Sequence, residues 1–503
     1  MKGAKKTERN ERMFLENLIP LMIIAAFFIG ITLVGKIASK RVKTSDDYMV
    51  AGRGAPLFLV VGTLFATFWG GGTIIGATGA AYNDGIFGVI EDPFAAGLAL
   101  ILIGFFFVSI LRRLKIRSVG ELYAFRFGPT AGYMASALMI PTYVIWTAVQ
   151  LLAIGKILNV LFDVNFLFAY LIATLVVVSF TYMGGLIAVV WTDAIQMVII
   201  FVGLVAILFT GFKAAGGVSD VVAHTPEGFW HFIPQEKSLG AWISYIAMWA
   251  GMALGNIPSP DVAQRAFMAK DVKTARKGMI IAGGMYWTIG FIPIIIALIG
   301  ITLVAKGVLP AGLFAEDSEL LIPFLARELL GPVGLGVFVA SLLAAILSSA
   351  STSLFATAVL FSNDIYRPLF HKEDLPENDK TMLRVTKIFV IVVGVLSAGV
   401  GLASTNIYDL TIFAFTLQFG VLFFPFIFAL KAKWVNTYGV IAGMLGGLGV
   451  NLIGVITQAS VIPEPWEFFT LVPALVNMLL IIFVSAITRN KNHATPLENL
   501  YID

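Results

Sequence analysis

Ala345-Ile-Leu-Ser348-Ser349-Ala350-Ser351-Thr352-Ser353-Leu354 lies at the centre of an apolar run from Pro332 to Asp364. The run is long enough to span a bilayer as a helix, yet it carries a tight group of hydroxyl side chains at bilayer depth. On a helix Ser348, Ser351 and Thr352 share one face, because residues three and four apart stack on adjacent turns. Such a face offers hard oxygen ligands, which suit small hard cations. The same small residues also serve close helix packing, and Ser and Thr can bond their own helix carbonyls.

The rest of the composition sets the class. Of 503 residues, 58% are hydrophobic and 13% charged, and the mean hydropathy is +0.91. That excludes a soluble domain and predicts an all-α polytopic membrane protein. Cysteine is absent, so there is no disulfide framework or thiolate chemistry. His224, His231, His371 and His493 have no metal-ligand spacing, and no Walker-type loop is present. No triad, metal set or cofactor loop supports an enzyme. The first apolar stretch has no small-residue cleavage site after it and reads as a true helix.

Hydropathy predicts thirteen spans, near 16–36, 56–82, 86–111, 130–161, 165–182, 184–212, 238–258, 276–305, 332–363, 381–403, 406–430, 435–457 and 467–488. Lys and Arg cluster after span one (Lys36, Lys40, Arg41, Lys43, Arg53) and span three (Arg112, Arg113, Lys115, Arg117, Arg126). They cluster again after span seven (Arg265, Lys270, Lys273, Arg276, Lys277) and span nine (Arg367, Lys372, Lys380, Arg384, Lys387). By the positive-inside rule these loops and the C-terminus are cytoplasmic and the N-terminus is outside. The basic tail from Lys2 to Arg12 runs against that rule and is outvoted. Two spans look broken. Span two contains Phe68-Trp69-Gly70-Gly71-Gly72-Thr73, which predicts an unwound segment or a very close helix contact. Span seven ends Gly255-Asn256-Ile257-Pro258-Ser259-Pro260-Asp261, which cannot stay regular through both prolines. Paired broken helices point to a secondary transporter's binding site.

Together with the segment Thr181-Tyr-Met-Gly-Gly-Leu-Ile-Ala-Val-Val-Trp-Thr-Asp193-Ala-Ile-Gln196, the hydroxyl run with Asn363-Asp-Ile-Tyr366 behind it, and Gly255-Asn-Ile-Pro258 before Gln264-Arg265, the chain resembles the sodium:solute symporter family over essentially its whole length. The resemblance implies one membrane transporter domain, 1–503, with a five-plus-five inverted-repeat core shared with neurotransmitter-type symporters. An extra helix at 16–36 precedes the repeats at 56–212 and 238–430. Two helices at 435–488 and a short cytoplasmic tail at 489–503 follow. It implies sodium-coupled symport of a small organic solute into the cell, with the chain in the cell membrane. Sodium (Na+) and the solute are the only partners it calls for besides the bilayer. The first sodium site maps to carbonyls of Ala66, Trp69 and Ala345 and hydroxyls of Ser348 and Ser349. As in bacterial sialic acid carriers, a second sodium maps to Asp193, Ser348, Ser351 and Thr352. Asp193 also reads as a capping carboxylate at a helix end.

For the solute, Thr67 to Thr73 looks closest to the high-affinity choline transporter branch, and Trp146 falls where that branch has a tryptophan. Trp69 and Trp146 facing a cavity suit a cationic amine; Ser259 departs from the branch, which has a tryptophan there. Gly72, Thr73, Glu91, Asp92 and Gln418 complete the candidate substrate set. Asp92 before Pro93 also reads as an N-cap, Asp261 after Pro260 has the same ambiguity, and Gln418 also reads as an interhelical bond. An amino acid, sugar or carboxylate is the alternative solute. A transporter-like sensor without net transport is the alternative function, although the tail is far shorter than the roughly 50 residues a signalling domain needs.

Overall fold

The computed structural model describes residues 2–39, 51–114, 116–370, 380–404, 406–458, 466–489 and 494–497, without the side chains of 2–17, 35, 38, 39, 183–189, 311, 313, 380, 457, 458 and 466–469. Lys40, Arg41, Lys43, Lys115, His371, Lys372, His493 and most of the tail 489–503 lie outside the described residues. Among those described, the structure is helical apart from loops and isolated bridge residues, among them the pair Ala55 and Ala269.

The principal helices are α1 Lys2–Ser39, α2 Leu57–Phe68, α3 Gly72–Asp84, α4 Phe87–Phe106, α5 Pro129–Phe162, α6 Phe166–Ala215, α7 Leu239–Gly255, α8 Pro260–Met268, α9 Val272–Ala305, α10 Pro332–Phe370, α11 Lys380–Leu402, α12 Ile407–Lys431, α13 Thr437–Gln458 and α14 Trp466–Ile487. Nine segments among the described residues are long and apolar enough to cross a membrane, and α2 with α3 makes a tenth, bent by 58°. Leu18–Val34, Phe166–Tyr182 and Leu239–Gly255 are shorter apolar stretches.

Burial sorts these helices. The membrane windows of α10 and α5 are 83% and 78% buried, against 28% for those of α13 and α14. The first pair therefore forms the interior and the second the rim. Exposed Phe209, Val395, Ile456 and Phe483 face outward, as lipid-facing side chains do.

The sequence reading divides 165–212 into two spans, whereas α6 runs as a single assignment of 50 residues. A straight helix of that length would measure about 75 Å, well over twice the apolar thickness of a bilayer. The crossing units are its two apolar segments, and they have different neighbours. In the first, Val178 packs on Gly394 of α11; in the second, Gly203 packs on Ser341 of α10. The sequence also missed short connecting helices at Val119–Phe127 and Leu321–Leu329.

Both predicted breaks are present. At the first, a Cβ on Gly70 would lie 2.6 Å from Gln150 Oε1, on Gly71 2.4 Å from Ala153 Cβ, and on Gly72 2.7 Å from Thr411 Oγ1. The triplet therefore serves close approach to α5 and α12 as well as the bend. At the second break, α7 stops at Gly255 and α8 starts at Pro260, where the missing N–H of proline is harmless.

A Cβ on Gly255 would sit 2.2 Å from the Phe415 carbonyl oxygen, whereas one on Gly284 meets nothing within 4 Å. Gly255→Ala is expected to destabilise the protein by about 1–3 kcal/mol through overpacking against backbone. Gly284→Ala, inside α9, should be neutral or stabilise by roughly 0.5–1 kcal/mol. Melting of both purified variants checks this; equal melting temperatures would remove the backbone contact from the account.

Candidate ion and solute sites

The break in α2 diverts two amides from the helical ladder. Gly70 N–H donates to the Phe68 carbonyl at 2.9 Å, and Gly71 N–H donates to Gln150 Oε1 at 2.8 Å. In a continuous helix these amides would serve the carbonyls of Ala66 and Thr67. Those carbonyls instead face Ser349 Oγ, at 3.1 and 3.0 Å. A hydroxyl has one proton and cannot satisfy two carbonyls at once, so the trio presents excess acceptor capacity to a cation. Hard carbonyl and hydroxyl oxygens match what sodium requires.

Of the five predicted ligands for the first ion, Ala66 and Ser349 meet here, with Thr67 in addition. Ser348 is turned away, its hydroxyl donating to Asp193 Oδ1 at 2.6 Å. Ala345 is fully buried one turn before Ser349. Trp69 N–H still bonds Phe65 O at 2.9 Å, and its residue closes α2.

Asp193 is not a cap. It lies inside α6, fully buried, and also accepts from Thr63 Oγ1 at 2.6 Å. The second predicted ion set is drawn together around it, but Arg265 shares the space. Its Nη2 donates to Thr352 Oγ1 at 2.9 Å and stands 3.8 Å from Asp193 Oδ2. Ser351 Oγ donates to its own helix at the Ser348 carbonyl, 3.0 Å away. The sequence reading counts Arg265 as a loop charge; the structure buries it completely. The signal was its place on an amphipathic turn after two prolines, which returns the chain into the protein.

A small cavity lies beside the first break, with room on the order of one water. Seven elements meet there: Thr67 and Phe68 of α2, Asp92 of α4, Trp146 of α5, Met252 of α7 with Asn256 after it, Asp261 of α8, Tyr286 of α9 and Phe415 of α12. Asp92 is not an N-cap either. Its carboxylate takes Thr73 Oγ1 and Tyr286 OH, each at 2.7 Å, and Tyr286 OH stands 3.0 Å from the Phe68 carbonyl. Asp261 accepts from the Tyr143 hydroxyl and from Val262 N–H at 2.8 Å.

Of the predicted solute residues, Asp92 and Trp146 line this cavity and Thr73 acts through Asp92. Trp69 does not line it: its ring stacks on Phe65 at 5.1 Å and meets Tyr286 edge-on at 5.5 Å. Gly72 packs on Thr411, and Glu91 is half-buried outside the lining set. Gln418 braces the second break, its Nε2 donating to Gly255 O at 2.8 Å and Ser259 Oγ at 3.0 Å. Trp69 Nε1, Gln150 Nε2 and Gln418 Oε1 are buried with no hydrogen-bond partner in the protein, a feature that collects at functional sites. Gln150, Tyr143 and Tyr286 escaped the sequence reading; a glutamine inside an apolar span was the one visible signal.

Comparison with known proteins fits this geometry. The profile of the Sodium:solute symporter family matches residues 48–447. The "Osmoregulated proline transporter OpuE" of Bacillus subtilis is 27% identical over 96% of this chain and 97% of its own. The "High affinity choline transporter 1" of Homo sapiens is 27% identical over 86% and 76%. The "Sodium/sialic acid symporter SiaT" of Proteus mirabilis is 27% identical over 75% and 76%. Among solved structures, "Substrate-bound outward-open state of a Na+-coupled sialic acid symporter reveals a novel Na+-site" superposes with a TM-score of 0.79 at 21% identity, over 95% of this chain and 99% of that one. A structure of MHP1, a nucleobase-cation-symport-1 family transporter, gives 0.57 at 14% identity, over 90% and 95%. These relatives are transporters, not enzymes, and the chain belongs to the sodium:solute symporter family.

Proposed function

We propose that this chain takes up a small organic solute by sodium-coupled symport in the cell membrane, and that the solute carries an amine. The observation that carries the sodium reading is Ser349 Oγ standing 3.1 and 3.0 Å from the two carbonyls that the α2 break releases. An ion added there ties α10 to α2 more strongly than one shared proton does. The proposed topology has thirteen spans: the ten long ones and the three shorter apolar stretches, with the N-terminus outside and the C-terminus cytoplasmic. The five-plus-five repeat begins at the two broken helices, and alternating access swings one part against the other around the site.

For the solute, the supporting features are the acids and rings of the cavity. Asp92 and Asp261 offer countercharge to an ammonium, and Trp146, Phe68, Tyr286 and Phe415 offer aromatic surface for cation–π attraction. A carboxylate would be repelled by two buried acids, whereas sugar hydroxyls donate to carboxylates but gain none of the charge attraction that an ammonium gains. Relatives named for choline and proline transport both handle compounds bearing a cationic nitrogen.

Coupling follows from shared backbone. Ala66 and Thr67 face the ion region, and Phe68 and Thr73 contact the Tyr286–Asp92 pair of the solute region. Sodium and solute thus favour the same geometry of the stretch from Ala66 to Thr73, which makes each raise the other's affinity.

Uptake by proteoliposomes, or melting of purified protein in sodium against potassium with amines, amino acids, sugars and carboxylates, tests the reading. Ser349→Ala is expected to raise the sodium concentration for half-maximal response roughly tenfold, about 1.4 kcal/mol, with the fold intact; an unchanged sodium response would remove the site. Asp92→Asn should weaken recognition of a cationic solute by on the order of 100-fold, about 2.8 kcal/mol. Undiminished apparent affinity in that variant would discard the amine.

A further inference from the structure

We propose that residues 494–497 are a strap on the inner half of α12, and that its release lets this half pivot at Pro425 to open the cytoplasmic exit from the cavity. The inference rests on the proposed topology, which makes this side cytoplasmic, and deepens the alternating-access reading.

The hinge comes from one missing donor. Pro425 lies inside α12 and has no N–H for the Val421 carbonyl. Asn477 of α14 donates its Nδ2 to that carbonyl at 2.7 Å, and the Tyr123 hydroxyl reaches the next one, of Leu422, at 3.3 Å. At the proline the helix is therefore held by side chains of its neighbours and not by its own ladder alone. Phe415 and Gln418 lie on the outer side of this point, and Phe426 to Lys431 on the inner.

The inner half ends on Arg126. This arginine belongs to the connecting helix Val119–Phe127 and is 4% exposed, although charge counting places it among solvated loop residues. Its Nε donates to the Ala429 carbonyl at 2.8 Å and its Nη2 to the Ala432 carbonyl. Such carbonyls are the ones that the end of a helix leaves without a backbone partner. The connecting helix is itself fixed. Ser118 before it donates to Asp364 of α10, and the Phe127 carbonyl accepts from Thr437 Oγ1 of α13 at 2.6 Å.

The strap closes over the arginine. Thr495 N–H donates to the Arg126 carbonyl at 3.0 Å, Arg126 Nη1 donates back to the Thr495 carbonyl, and Leu497 is buried two residues on. A rigid guanidinium fork with carbonyls on all three nitrogens keeps one orientation. Without Thr495 that orientation loses one of its three fixed points, and the grip on Ala429 and Ala432 loosens. Two hydrogen bonds and the burial of Leu497 are a local contact, which opens at a far lower free energy than the whole protein unfolds. The strap can thus leave while the connecting helix stays in place.

The chain has no cysteine, so an introduced thiol reports alone. Leu430→Cys puts one on the inner half and Thr411→Cys one on the outer half, at positions that are both buried. The reaction of each with a water-soluble maleimide is followed in the purified full-length protein. Adding Leu497→Ser, or Thr495→Pro, which removes the amide, is expected to speed labelling at position 430 roughly tenfold and leave position 411 unchanged. Pro425→Ala restores the missing donor and, added to Leu497→Ser, should return position 430 to slow labelling. Unchanged labelling at 430 in the strap variants would overturn the strap. An equal rise at both positions, or fast labelling that survives Pro425→Ala, would overturn the hinge. If Leu497→Ser does not fold, Thr495→Pro decides. The readout uses neither sodium nor solute, so its failure leaves the symport reading standing; absence of sodium-dependent uptake by the wild type would overturn that reading and not the strap.

Discussion

Everything at the centre of this protein depends on the carbonyls that α2 does not use. A helix interior has no spare backbone acceptors, and in a bilayer no water exists to serve any that are released. Breaking α2 after Phe68 is tolerable only because other side chains meet the freed groups. Gln150 takes the Gly71 amide, Ser349 faces the Ala66 and Thr67 carbonyls, and the hydroxyl of Tyr286 reaches the Phe68 carbonyl. The glycine triplet admits α5 and α12 closely enough for these contacts to form. The break, the packing around it and the polar groups that heal it are one unit, and none is stable without the others.

Charge is the second constraint. Asp92, Asp193 and Asp261 are buried near one another with Arg265 as the cation among them. Isolated charges in such a medium cost several kcal/mol each. The hydroxyls of Thr63, Thr73, Tyr143, Tyr286 and Ser348 offset part of that by donating to the acids. Three acids against one base leave the cluster short of positive charge, which the proposed sodium and amine-bearing solute would supply. Farther along, the Glu319 carboxylate accepts from the Ile407 and Tyr408 amides at the start of α12 and pairs with Lys156 at 2.6 Å. That fixes the helix whose Phe415 lines the cavity.

Much of this was legible in the sequence where a residue type is unusual for its depth. The hydroxyl run marked Ser348, Ser349 and Thr352, and the Gly-Gly-Gly and Pro-Ser-Pro stretches marked both breaks, because polarity and helix breakers stand out against an apolar background. Asp92, Asp193 and Asp261 each had a local capping explanation; for Asp92 and Asp193 tertiary partners replaced it, whereas Asp261 stays in the first turn of α8, accepting from Val262 N–H, and takes the Tyr143 hydroxyl besides. Trp69 falls outside the cavity lining, because depth in a span says nothing of rotation about its axis; its ring packs on Phe65 and Tyr286. Arg265 was misread because charge counting treats every basic residue between spans as solvated, and only the return of α8 into the protein buries it. The division of α6 could not be placed to the residue, since hydropathy continues almost unbroken across 183–189.

Distance along the backbone explains how these parts act together. Ala66 and Thr67 on the ion side, Phe68 at the bend and Thr73 on the solute side lie within two turns of chain. A shift at one contact cannot be absorbed before it reaches the other, because Gly70, Gly71 and Gly72 are already in close contact with Gln150, Ala153 and Thr411. Packed interiors change between discrete arrangements and do not deform smoothly. At the proposed site, a cation that draws Ser349 toward α2 would therefore select among arrangements of the bend, and with it the position of the Tyr286–Asp92 pair. On the proposed sites the coupling would need no long pathway: the break that frees the carbonyls facing Ser349 also sets one wall of the cavity.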